Sequence, residues 1–280
     1  FQVVNNLSHH AGNHALRGGF DFTYNDDTIT FLRAFRGSYT FSSLANFLTG
    51  TYNGYSQTFG NPVITQKNPN LGMYVQDEWH ATSALTLNLG VRYDLQFLDT
   101  ITTDTNNVSP RAGFAWSPAG SQGLVVRGGA GLFFDRVPLR AVANALMSAG
   151  NTTDVSQLRQ PAVSGVLPTQ AGAPVFPNLL PDRLPSNALV SITTMDPALQ
   201  NAYSKQGNIE VERALGGGRL LSVGYQYFRG ERLLMAINQN VPTCVPAGAN
   251  NGCRPSAAYM NNSQYQGAGT SNYHGLHLPY

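Results

Sequence analysis

Apolar and polar residues alternate one by one along several stretches of the chain. Leu85, Leu87, Leu89, Val91 and Tyr93 fall on one side of an extended backbone, and Thr86, Asn88, Gly90 and Arg92 on the other. The rhythm returns at Leu124, Val126, Gly128, Ala130, Leu132 and Phe134 against Arg127, Gly129 and Gly131. It returns again at Leu221, Val223, Tyr225 and Tyr227 against Ser222, Gly224 and Gln226. Each run has the roughly 9 to 11 residues that a tilted strand needs to cross a bilayer. The pattern predicts an all-β chain whose strands are greasy on one face and wet on the other, as in the wall of a membrane β-barrel.

Turn residues between the runs give eleven candidate strands: 1–10, 14–24, 31–40, 51–60, 71–80, 84–95, 109–117, 123–135, 203–213, 219–230 and 271–279. Short turns at Ala11–Asn13, Ala81–Ser83, Pro118–Gln122 and Ala214–Gly218 alternate with longer links at 61–70, 96–108, 136–202 and 231–270. Outer-membrane barrels have tight turns at the periplasmic rim and long loops outside. The alternation holds throughout if 25–30 is a short outer loop and Phe41–Gly50 an inner-rim connection with a turn of helix. The link 136–202 is far longer than a hairpin loop and is expected to form an external lid, with a short helix from Pro138 to Ser148. An odd strand count does not close a bacterial barrel, so the chain reads as part of a longer protein.

Composition sharpens this picture. Charged residues make up only 11% of the 280, against about 25% in soluble domains. The net charge of +2 is scattered, and no basic block with interleaved aromatics marks a nucleic-acid surface. No apolar run is long enough for a transmembrane helix, which leaves strands as the only way through a membrane. The first residues lack the basic start and apolar stretch of a secretion signal, as expected of a fragment or a cytoplasmic chain. Cys244 and Cys253 lie in a Pro/Gly/Asn-rich stretch, either as a loop disulfide in an oxidising compartment or as two unpaired thiols; their spacing excludes a CxxC site.

One pair of segments points to a family. Tyr74-Val75-Gln76-Asp77-Glu78-Trp79, followed by Leu85-Thr86-Leu87-Asn88-Leu89-Gly90-Val91-Arg92-Tyr93, resembles a barrel hairpin of TonB-dependent outer-membrane receptors. Further segments resemble the Oar-like subgroup, which often carries a carboxypeptidase-regulatory-like domain: Ala45 to Gly50, Ser109 to Trp116, Arg127 to Asp135, and Ile237 to Gln239. The resemblance implies a barrel of about 22 strands with a plug in its lumen. It also implies outer-membrane localisation in a Gram-negative-type envelope and uptake of a bulky solute powered through the TonB complex. On this reading residues 1–280 are a partial barrel domain, about half of the whole, with the plug, the signal peptide and the remaining strands outside it. The partners implied are the lipid bilayer, the plug of the same chain, the TonB complex through the missing N-terminal part, and an unidentified solute. No cofactor is called for.

Within that frame, Tyr74, Trp79, Tyr93, Trp116, Phe133 and Phe134 lie near strand ends, where aromatic rings suit the lipid headgroup boundary. Asp77 shares parity with Met73, Val75 and Trp79, so an outward carboxylate has to lie at interface depth. Arg92, Arg111 and Arg127 share the polar face, with Asp94 two residues beyond Arg92. They are expected to form a lumen patch that pairs with the plug as a salt-bridge ladder or meets an anionic solute.

His9, His10 and His14 lack an acidic partner at an obvious spacing, and Asp99 and Asp104 read as solvated loop carboxylates, so no metal site is expected. Gly128-Gly129-Ala130-Gly131 sits inside an alternating strand rather than before a helix, and its glycines suit strand curvature or close approach by a plug. No catalytic constellation is present in the sequence, and the chain reads as a non-enzyme. The competing architecture is a secreted or cell-surface β-sandwich, a binding or adhesion module that packs the apolar faces against a second sheet and uses the 136–202 loop to hold a glycan or protein.

Overall fold

The computed structural model describes residues 1–118, 123–149, 153, 157–184, 190–244 and 253–278. The wall is a ten-stranded sheet. In chain order it contains β1 (Gln2–Ala11), β2 (His14–Thr30), β5 (Val63–Thr82), β6 (Leu85–Gln96), β7 (Val108–Trp116), β8 (Leu124–Phe134), β10 (Ile192–Met195), β11 (Tyr203–Gly216), β12 (Arg219–Asn238) and β13 (Asn262–His277). Across the sheet the order is β1-β2-β5-β6-β7-β8-β11-β12-β13-β10. All neighbours are antiparallel except β10, which pairs in parallel with Asn262–Tyr265 of β13. The remaining strands, β3 (Ser38–Thr40), β4 (Gly54–Thr58) and β9 (Ala162–Val166), form a separate small sheet. Helix α1 (Leu44–Leu48) and helix α2 (Leu139–Ser148) complete the described elements.

The tight hairpins all lie at one rim. Gly12 takes φ +57° between β1 and β2, and Gly216, Gly217 and Gly218 take +82°, +60° and +74° between β11 and β12. Only glycine enters that region without strain, so these turns close in a few residues.

The pairing register sorts the wall into two faces. One row runs His14, Trp79, Leu87, Phe114, Gly128, Ile209, Tyr225, Leu276 across eight strands. The opposite face carries the row Gln76, Gly90, Arg111, Gly131, Gln206, Phe228, Tyr273. The apolar face is bare: Val75 is 53% exposed and Leu276 69%, with Met73, Leu89, Val91, Ile209 and Val211 also exposed. No second sheet covers this face among the described residues, so the sandwich alternative fails at its defining contact.

The buried apolar residues lie elsewhere. One cluster joins Ala141, Val142 and Ala145 of α2 to Leu98, Val137, Met195 and Leu199. Another packs Ala143 and Met147 of the same helix on Ile64 of β5. A third gathers Tyr52, Tyr55, Phe59 and Val163 between the small sheet and the segment 174–184, with Tyr39, Phe41 and Phe176 against it. The chain's own core is therefore a cap at one end of the sheet, and α2 lies within it because its Ala-rich flank allows close approach.

Two predicted wall strands are corrected here. Residues 31–40 and 51–60 leave the wall: β2 pairs directly with β5, and the intervening segment supplies β3, α1 and β4 to the cap. The helix predicted within Phe41–Gly50 exists, but at the capped end instead of the hairpin rim. Residues 25–30, expected as a loop, continue β2, and β5, β12 and β13 likewise run beyond their predicted ends. With those changes long and short connections alternate without any special provision. The short helix expected at 138–148 is α2, with Pro138 as its N-cap residue.

Candidate functional site

The polar face is concave. A depression of about 480 Å³ follows it, lined by Gln76, Asn88, Arg111, Gln206, Asn208 and Gln226 among others. The depth comes from Gly90, Gly113, Gly129 and Gly131, whose missing side chains leave the depression between the longer neighbours. Carboxamides carry donors and acceptors without net charge, so this track presents hydrogen bonds at low desolvation cost.

Charges on the polar face are mostly matched. Arg92 clasps Asp94 with Nε at 2.8 Å from Oδ2 and Nη2 at 2.7 Å from Oδ1. Arg127 pairs with Glu212 on the adjacent strand β11. Glu210 accepts from Ser222 Oγ at 2.7 Å and lies 3.7 Å from His277 Nε2. The expected patch of three arginines is thus on one face, but wall carboxylates neutralise Arg92 and Arg127. Only Arg111 of the three is left without a carboxylate among the described residues, and its guanidinium lies over the Phe133 ring at 4.4 Å.

At the capped end the polar face disappears beneath the lid. Gln66, Asn68 and Asn70 of β5 and Gln96 of β6 are buried there. Gln96 Nε2 donates to Asn68 Oδ1 and to the Val137 carbonyl, and its Oε1 accepts from Val137 N at 2.8 Å, stitching the start of the lid to the wall. Asp104 corrects the expectation of a solvated carboxylate: it is buried and accepts the Asn201 backbone N–H at 2.9 Å. Asn201 in turn donates to the Asp135 carbonyl at 2.7 Å, pinning both ends of the 135–202 connection together. In the small sheet, burial pushes the Tyr39 phenol up to about 12, helped by Tyr55 and Tyr52. Tyr39 donates to the Asn178 carbonyl, and Tyr55 donates to Gln57 while accepting Leu180 N–H at 3.2 Å.

Placement of the aromatics differs from expectation at two positions. Trp79, Tyr93, Trp116 and Phe134 lie on the apolar face, but Tyr74 and Phe133 have the opposite parity and point to the concave side. Tyr74 donates to Asn6 Oδ1 there at 2.8 Å. His14 does have an acidic partner: the cross-strand fold brings its Nδ1 within 2.6 Å of Asp77 Oδ2 and stacks its ring on Trp79. Their separation of 63 residues hid this from spacing arguments. Cys244 and Cys253 form a disulfide with Cα atoms 5.6 Å apart. Among the described residues no helix is long and apolar enough to cross a membrane, which says nothing of strands.

A family model described as the outer membrane beta barrel domain matches residues 1–100 and 98–279. The chain belongs to this family. The bare apolar face of the wall is therefore its membrane face, and the concave face its lumen. Solved structures agree on the fold. The outer membrane transporter YddB from Escherichia coli superposes with a TM-score of 0.59 at 14% identity, covering 99% of this chain and 30% of that one. The siderophore receptor PirA from Pseudomonas aeruginosa gives 0.52 at 12% identity, with 99% and 38% covered. The FrpB iron transporter from Neisseria meningitidis gives 0.51 at 13%, with 99% and 33% covered. The chain thus spans about a third of the length of the barrels it matches. Comparison with curated proteins gave no match. The protein is an outer-membrane β-barrel chain whose wall shares the fold of part of the transporter YddB.

Arg136, Asp135, Asn107 and the carboxamides of the lumen track were not singled out in the sequence. The carboxamides alternate with apolar residues at strand spacing and were legible as polar-face positions. Arg136 and Asn107 lie in connections, where no periodicity assigns a direction.

Proposed function

We propose that residues 1–280 are the partial barrel domain of a TonB-dependent receptor that imports a bulky solute, with a plug supplied by the same chain and energy delivered through the TonB complex. The observation that carries this reading is the lumen itself: a carboxamide-lined concavity leads to a mouth over which a folded lid closes. A simple static pore needs no packed cover, whereas a receptor that selects and then admits a large solute does. Arg92 and Arg127 with their wall carboxylates form the ladder facing the plug, and Trp79, Tyr93, Trp116 and Phe134 anchor the wall at the headgroup boundaries. The Oar-like subgroup, favoured by the sequence segments quoted above, inclines the solute class toward peptides or glycans.

The test is uptake of fluorescent peptide and oligosaccharide panels by Gram-negative cells producing the intact receptor. At least one panel member should accumulate, and deletion of TonB should abolish its accumulation while leaving the receptor folded in the outer membrane. Accumulation that continues unchanged without TonB sinks the energy-coupled reading.

A further inference from the structure

Between the lid and the open lumen lies a second cavity, of about 260 Å³. Its lining includes Arg92, Arg111 and Arg136 against Asp94 and Asp135, three guanidiniums to two carboxylates. The Asp94 carboxylate is held by Arg92. Asp135 spends Oδ1 on the backbone N–H of Arg136, at 2.8 Å. The guanidiniums of Arg111 and Arg136 have no carboxylate partner among the described residues. Arg111 is held in place by the Phe133 ring beneath it, so its fork is oriented without being used. In the same lining, Asn107 is only 1% exposed, and its Oδ1 accepts no hydrogen bond among the described residues, while its amide nitrogen donates to the Asp104 carbonyl at 3.0 Å. Two guanidinium forks left without a carboxylate in one cavity mark a site suited to an anion.

We propose that this cavity holds a carboxylate carried by the solute in passage, clamped by Arg111 and Arg136. The proposal rests on the reading of the concave face as a transport lumen and deepens it by naming the chemistry recognised under the lid. The excess of one positive charge selects an anion. Planar guanidinium forks match the two oxygens of a carboxylate, the group that an acidic peptide or a uronic acid presents. Arg136 stands at the start of the connection that becomes the lid, so the site joins a group on the wall to a group on its cover.

The experiment is calorimetric titration of the intact receptor in lipid nanodiscs with triglutamate, triglutamine and inorganic phosphate as probes. Triglutamate should bind, and triglutamine should bind at least about tenfold more weakly, as loss of charge-assisted hydrogen bonds requires. Phosphate should bind more weakly than triglutamate, because a single small anion makes none of the further contacts that the peptide makes along the carboxamide track. Arg136→Gln and Arg111→Gln should each weaken triglutamate binding by about tenfold, and Arg219→Gln at the hairpin rim should leave it unchanged. The Arg136 side chain makes no hydrogen bond or ion pair among the described residues, so R136Q carries the test even if R111Q fails to reach the membrane. Equal binding of triglutamate and triglutamine, undiminished binding by R136Q, or no binding of triglutamate at all overturns the proposal. A receptor that imports solute under TonB yet ignores triglutamate loses this inference and keeps the transport reading. One that binds triglutamate selectively yet shows TonB-independent uptake loses the energy coupling alone.

Discussion

Tyr39 shows how much of the cap depends on single rings. Its ring contacts Phe41, Tyr52, Tyr55 and Phe176, and its hydroxyl reaches across to the Asn178 carbonyl. The phenol is raised to about 12, with burial the largest cause. In an unfolded chain it ionises near the ordinary tyrosine value of about 10. The folded state therefore holds its proton longer, and the stabilising contribution is complete below pH about 10 and is lost as the pH climbs toward 12. Absorbance titration at 295 nm should show a late-ionising component that Tyr39→Phe removes. The same substitution should cost the cap about 1 kcal/mol through the lost hydrogen bond, read from the denaturant dependence of proteolysis within 31–62.

At the scale of the strand, neighbouring residues face opposite solvents. Leu89 belongs to the membrane face and Asn88 to the lumen. Leu89→Arg should destabilise the wall by about 2–4 kcal/mol if the position lies near the bilayer centre, whereas Asn88→Arg should change stability by less than about 0.5 kcal/mol. Reversible urea unfolding of the intact receptor in liposomes separates the two. A comparable loss for both variants would mean that lipid does not cover the Leu89 side. This alternation also explains what the sequence disclosed. Strands β6, β7, β8 and β11 were read nearly to the residue because hydrocarbon on one side and water on the other imprint period two. Toward the capped end that contrast vanishes. From Val63 to Asn70 the outward residues are Val63, Thr65, Lys67 and Pro69, and the covered ones are Ile64, Gln66, Asn68 and Asn70, so polarity no longer marks the face. Strands β9 and β10 are too short for any period and owe their extended form to partners far away in sequence.

For the whole molecule, the decisive element is α2. It packs on β5 near one end of the sheet and on β10 beside β13 at the other. Ala145 is fully buried at its centre. Ala145→Leu should overpack this contact, costing about 1–3 kcal/mol. Limited proteolysis of intact cells should then cut 136–202 faster than in the parent, while heat-modifiable gel migration shows the wall unchanged. The lid as a lid was legible from its length, but its seating was not, since Asn201, Asp104 and Gln96 come together only through loops. The basic pocket was half visible for the same reason: Arg111 follows from strand parity, and Arg136 does not.

A helix fixed to both flanks of an arched sheet is a chord across an arc. Slackening the chord lets the arc relax, so the contacts that shut the entrance also set how tightly the wall bends. Opening of the cap and flattening of the sheet are then two descriptions of one motion.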